Sequence, residues 1–73
     1  MEDFLIAKIE ELAFSKVELN DSLWTSKILD SISIVELVVE IENEYSISVP
    51  FNEIIEGNFE TVANMIQYIA SKQ

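Results

Sequence analysis

Apolar residues recur at helical intervals in three stretches of this chain, and nowhere do they alternate at the period of a strand. Leu5, Ile9 and Leu12 stand at i, i+4 and i+7, with Ile6 and Ala13 widening the stripe, which predicts a helix over residues 3–14 with Asp3 as its N-cap. A second helix begins at Asp30 or Ser31 and runs to Glu44 or Tyr45. A third periodic stretch, capped by Thr61, carries Val62, Ile66 and Ile69 on one stripe with Met65 beside it and ends about Ser71. Between the first two helices, residues 15–30 show no period and are rich in Asn, Asp, Ser and Thr. That predicts a long loop, held down by Leu19, Leu23 and Trp24, with Trp24 either plugging the core or meeting a partner. Residues 46–50 break the second helix. Pro50 suits the first turn of a new one, so a short helix is expected over 51–56, closed by Gly57 as a left-handed C-cap. The expectation is an all-α, four-helix bundle with a long first loop and a short third helix, forming one domain over residues 1–73.

The second helix carries more apolar surface than a core needs. On a helical wheel Ile34, Leu37, Val38, Ile41 and Tyr45 fill one continuous arc. Ile32, Val35 and Val39 form a second, smaller arc, and Glu36, Glu40 and Glu44 run down the side next to it. Three extra aliphatic side chains suit packing on the loop or the third helix. Bordered by charge, they also have the anatomy of a transient binding surface, apolar at the centre and polar at the rim.

Composition narrows the chemistry. The chain has neither Cys nor His, so it lacks a thiol nucleophile, a disulfide, the usual general base near neutral pH and the commonest metal ligands. A small enzyme working with paired carboxylates remains conceivable, but the carboxylates are scattered along exposed faces. Fourteen acidic residues against four lysines give a net charge of −10, which argues against nucleic acid and anionic membranes as partners. All four lysines fall outside residues 28–71. The acidic span serves solubility, or steers basic partners, or both. No apolar run is long enough to span a bilayer and Met1-Glu2-Asp3 has no basic leader, so a soluble, cytoplasmic protein is expected.

At the start of the second helix stands Asp30-Ser31. Asp30 is an N-cap in any reading. A phosphodiester on the Ser31 hydroxyl would meet the unpaired N–H groups and the positive end of the helix dipole, with Asp30 opposing it modestly.

Asp30-Ser31-Ile32, then Val35-Glu36-Leu37, Ile41-Glu42-Asn43-Glu44-Tyr45, Ile47-Ser48-Val49-Pro50 and Thr61-Val62 through Tyr68-Ile69 resemble an acyl carrier protein over essentially the whole chain. The resemblance implies an acyl-carrier-type bundle in which Ser31 receives 4′-phosphopantetheine from coenzyme A through a phosphopantetheinyl transferase that recognises Asp30. It implies no catalytic residue and no metal, because the thiol arrives with the arm and holds an acyl or aminoacyl thioester. Ile32, Val35, Glu36, Val39 and Glu40 are then the docking surface for the transferase, a loading ligase and downstream transferases or synthases with basic faces, met by a monomeric carrier. Asp21-Ser22-Leu23 matches the family's Asp-Ser-Leu form more literally, but no amphipathic helix follows it, and Ser33 faces the acidic side. Ile28 stands where many members have Gly, and Ile28-Leu29-Asp30-Ser31 is more similar to D-alanyl and free-standing aminoacyl or peptidyl carriers. The competing expectation is an unmodified acidic helical interaction module.

Overall fold

A computed structural model describes residues 1–73: α1 (Glu2–Ala13), α2 (Ser31–Tyr45), α3 (Glu56–Phe59) and α4 (Val62–Lys72), with one 3₁₀ turn at Phe51–Glu53 and no strand. The four-helix, all-α expectation holds. α1 packs on both α2 and α4, and α3 packs on α4. Leu5 and Ile9 from α1, Leu37 and Ile41 from α2, and Val62, Met65 and Ile69 from α4 are fully buried. Tyr68 joins them, so the buried stripe of α4 is centred between Met65 and Ile69, and Ile66 sits on its margin rather than at its middle.

The caps explain where the helices begin and end. The Asp30 carboxylate accepts the Ser33 N–H at 2.8 Å and Thr61 Oγ1 accepts the Asn64 N–H at 3.0 Å, so α2 and α4 each satisfy one orphan donor. Asp3 does not cap α1. The helix starts one residue earlier, behind Met1, and Asp3 lies with Glu2 in its first turn, where negative charge suits the dipole. Both α1 and α2 end on a left-handed residue that is not glycine, Phe14 (φ 55°) and Ser46 (φ 53°).

The short third helix is displaced from its expected place. Residues 51–53 form only a 3₁₀ turn, because nothing on that turn is buried and Phe51 stays 87% exposed. The helical turn forms instead at 56–59, where Phe59 enters the core and lies against Tyr68 with ring centroids 5.5 Å apart. Burial of one phenylalanine decides the register. Gly57 therefore lies inside α3 with an ordinary negative φ and is not a C-cap. A Cβ built on it would meet nothing within 4 Å.

The long loop is tied at both levels. Val17, Leu23 and Leu29 are buried, Leu19 and Trp24 partly so. Its backbone is then fixed by carboxylates. Glu10 accepts the Val17 N–H at 3.0 Å. Glu60 accepts the Thr25 N–H at 3.0 Å, the Thr25 hydroxyl at 3.1 Å and the Ser22 hydroxyl. The Leu23 N–H donates to the Glu60 carbonyl at 2.7 Å, and the Ala63 N–H to the Leu19 carbonyl at 3.1 Å. Glu42 does the same for the next connection by accepting the Val49 N–H at 2.8 Å.

Two substitutions probe these contacts. Gly57→Ala raises stability by about 0.4–1 kcal/mol, since the site is helical and open; a loss on urea denaturation would mean a left-handed backbone there. For Glu60, the Ser22 hydroxyl is the main cause, with Thr25 adding and partial burial opposing, of a pKa below its ordinary value of 4.5. A lowered folded-state pKa gives stability that is complete above the ordinary value and is lost as pH falls through the folded value. Thermal melts of wild type and Glu60→Gln should differ most at neutral pH and converge in acid, as pH falls below the ordinary value of 4.5 and through the lower folded value.

Candidate functional site

Asp30 has extended backbone (φ −84°, ψ 178°) and Ser31 is the first residue of a 15-residue helix. The Ser31 side chain is exposed to solvent. Ser33, through its N–H and then its hydroxyl, holds the Asp30 carboxyl below the usual carboxylate range, with the Ile32 N–H adding. Asp30 thus remains an ionised acceptor through the neutral range and fixes the first turn of α2, which Ser31 opens. The other Asp-Ser pair sits differently. Ser22 donates to the Glu60 carboxylate and accepts, at its carbonyl, the Ser26 hydroxyl, while the Asp21 carboxylate accepts the Glu18 N–H at 2.8 Å. Both its members are engaged in holding the loop.

Next to Ser31 opens an apolar trough of about 420 Å³, bounded by Trp24, Lys27 and Leu29 of the loop, Asp30, Ser31, Ile34 and Val35 of α2, and Phe51 and Ile54 across from them. Trp24, half-buried, both packs on the core and forms one wall. Sequence reasoning found the Ser31 end of this trough and missed its far side. Phe51 and Ile54 fall within the segment expected to be helical. Lys27 lies at a left-handed turn (φ 64°) that no residue pattern announces.

The second apolar arc of α2 points outward. Ile32 is 70% exposed, Val35 50% and Val39 48%. Glu36 is exposed beside them, whereas Glu40 is half-buried. Val35 forms a ridge between the trough and a second groove of about 390 Å³ running between α1 and α2, lined by Lys8, Glu11, Leu12, Val35, Glu36, Val39 and Glu40. The structure thus brings Ser31, Asp30, Ile32, Val35, Glu36, Val39 and Glu40 onto one side of α2. What the residue pattern missed is Lys8, whose ammonium lies 3.4 Å from the Glu40 carboxylate.

Residues 5–69 match the protein family described as "Phosphopantetheine attachment site". The chain is also similar to the D-alanyl carrier proteins of Streptococcus pyogenes serotype M1, serotype M5 (strain Manfredo) and serotype M49 (strain NZ131). Each is 29% identical over 75 residues, spanning 100% of this chain and 95% of the relative. The attached group in this family is covalent 4′-phosphopantetheine. A phosphodiester needs an open hydroxyl and a site that tolerates its negative charge. A solvent-exposed hydroxyl at a helix N-terminus beside a trough walled by Trp24, Leu29, Ile34 and Phe51 fits that group. The family match over residues 5–69 and the fit of this site agree: the chain belongs to the phosphopantetheine attachment site family and is a carrier protein, which transports groups rather than transforming them.

Proposed function

We propose that Ser31 is the attachment residue and that the chain holds acyl or aminoacyl groups as thioesters for separate enzymes. The observation that carries this reading is the exposed Ser31 hydroxyl at the N-terminus of α2, beside an ionised Asp30 cap and an apolar trough. In the transfer, the Ser31 oxygen bonds to the phosphorus of coenzyme A that bears pantetheine. The phosphoanhydride bond breaks, adenosine 3′,5′-bisphosphate departs, and the hydroxyl proton goes to the transferase. Asp30 keeps the first turn rigid and offers that enzyme a fixed negative charge. The terminal thiol of the bound arm supplies the thioester linkage that a chain without cysteine lacks.

The names of the relatives and the Leu29-Asp30-Ser31 context favour a small aminoacyl cargo, of which D-alanine is the example, loaded by an adenylating ligase. Docking of the transferase and of that ligase falls to Ile32, Val35 and Val39 with Glu36 and Glu40 at the rim, against apolar pockets edged with Arg or Lys. The reading leaves the chain in the compartment where coenzyme A and ATP-dependent ligases work, the cytoplasm. No helix is long and apolar enough to cross a membrane.

Intact mass after incubation with coenzyme A, magnesium and a broad-specificity phosphopantetheinyl transferase tests the reading. The wild type should gain the mass of one phosphopantetheine, as should Ser22→Ala and Ser33→Ala, while Ser31→Ala gains nothing. An unchanged wild-type mass would favour the unmodified interaction module instead. For the docking face, Glu36→Lys should lower kcat/KM of that transfer by about 3- to 10-fold at low salt, chiefly through KM, with the penalty shrinking as salt rises. Equal rates at low salt would place the docking contacts elsewhere.

A further inference from the structure

The groove between α1 and α2 borders the proposed docking face and contains a cation already. Its floor is Leu12, Val35 and Val39; Glu11, Glu36 and Glu40 stand around it, and Lys8 projects among them. The Lys8 ammonium pairs with Glu40 at 3.4 Å and lies 6.0 Å from the centre of the Phe4 ring, so its position is set from two sides. Glu11 and Glu36 form no ion pair. Three carboxylates therefore face one ammonium, which leaves two negative charges uncompensated over an apolar floor.

Resting on the carrier reading above, we propose that this groove is the outer part of the docking face and that Lys8 is its built-in counterion. A cationic side chain of the partner enzyme, arginine above all, displaces Lys8 from Glu40 as the complex forms. Charge complementarity selects that occupant. A guanidinium can bridge two carboxylates in its plane while its stem covers Val35 and Val39, and a second negative partner would be repelled. Lys8 has a flexible four-carbon stem and a partly exposed ion pair that water still screens, so it yields readily and swings toward solvent. Before docking it masks one of the three charges that would draw the partner in. It thereby slows encounter and sharpens the demand for a partner able to replace it.

The phosphopantetheine transfer reaction on the full chain reads this directly, with initial rates at about 20 mM and about 500 mM salt, where screening is weak and strong. Lys8→Met keeps the stem over Phe4 and removes the charge. It should raise kcat/KM by about 2- to 5-fold at low salt, through a lower KM, and have no effect at high salt. Lys8→Arg keeps the charge and grips carboxylates more firmly, so it should be no faster than wild type at low salt. Lys16→Met, which changes net charge equally at an exposed site away from the groove, should give a smaller gain. In a Glu40→Gln background the Lys8→Met gain should largely vanish, because no masked carboxylate is left to release. The proposal is overturned if Lys8→Met is no faster than wild type, if Lys16→Met matches it, or if the gain persists at full size without Glu40. A wild type that never gains mass removes the carrier reading along with it; a normally modified wild type indifferent to Lys8 removes this proposal alone.

Discussion

The carboxylate of Glu60 joins the irregular half of this molecule to its regular half. It sits at the end of α3, yet its oxygens accept from Ser22 and Thr25 in the loop that links α1 to α2. That loop delivers Leu23 and Leu29 to the core, forms the Trp24 wall of the trough and ends at Asp30. Were the loop free, the start of α2 would still be capped, since the Asp30 cap is local. The trough beside Ser31 would not exist, because two of its three sides are loop and 3₁₀ turn. A functional surface assembled from connections needs a rigid attachment to the scaffold, and one acidic side chain with several donors supplies it.

This gives the acidic composition a role that charge counting overlooks. A solvated surface and a steering field were the two natural explanations for a net charge of −10. Four glutamates do neither primarily. Glu10, Glu42 and Glu60 accept backbone N–H groups in connections that have no ladder or helix partner, and Glu53 takes both the Tyr68 hydroxyl and the Lys72 ammonium, the latter at 2.7 Å. In a chain of 73 residues with one proline and one glycine, side-chain acceptors do the work that turn residues would otherwise do. The outward glutamates of α2 are thus a minority with a different environment, which is why substitution at Glu36 and at Glu60 should produce different phenotypes.

What the residue order disclosed, and what it hid, divides along the range of the interaction responsible. Asp30 and Thr61 each cap a backbone N–H only three residues further along the chain, so both helix starts were legible. The division of α2 into an inward arc at Leu37 and Ile41 and an outward arc at Ile32, Val35 and Val39 is a property of one helix and was legible too. Val17 stands alone between Lys16 and Glu18, and Leu29 is buried while its neighbour Ile28 is exposed; only the core, built from distant elements, explains which of these residues are buried. The register of the short third helix was misplaced because Pro50 and Gly57 gave strong local signals, and burial of Phe59 against Tyr68 outweighed them. Lys8 meets Glu40 across two helices, a juxtaposition that no spacing along the chain reports.

Magnitudes then constrain what kind of docking the outward arc of α2 supports in the proposed carrier role. Fully burying a Val or Ile side chain stabilises by roughly 1.5–3 kcal/mol. Ile32, Val35 and Val39 are already covered by a third to a half. Their remaining apolar gain on docking is about 2.5–5 kcal/mol in total. Association itself costs an estimated 4–15 kcal/mol or more in lost translational and rotational freedom. The three side chains alone therefore leave a complex short-lived, and the glutamates at the rim affect how quickly a partner arrives more than how long it stays. A surface of this strength suits a chain whose single covalent arm must be offered to one enzyme and released to the next. A larger apolar arc would lengthen each stay and also expose more sticky surface on the free protein.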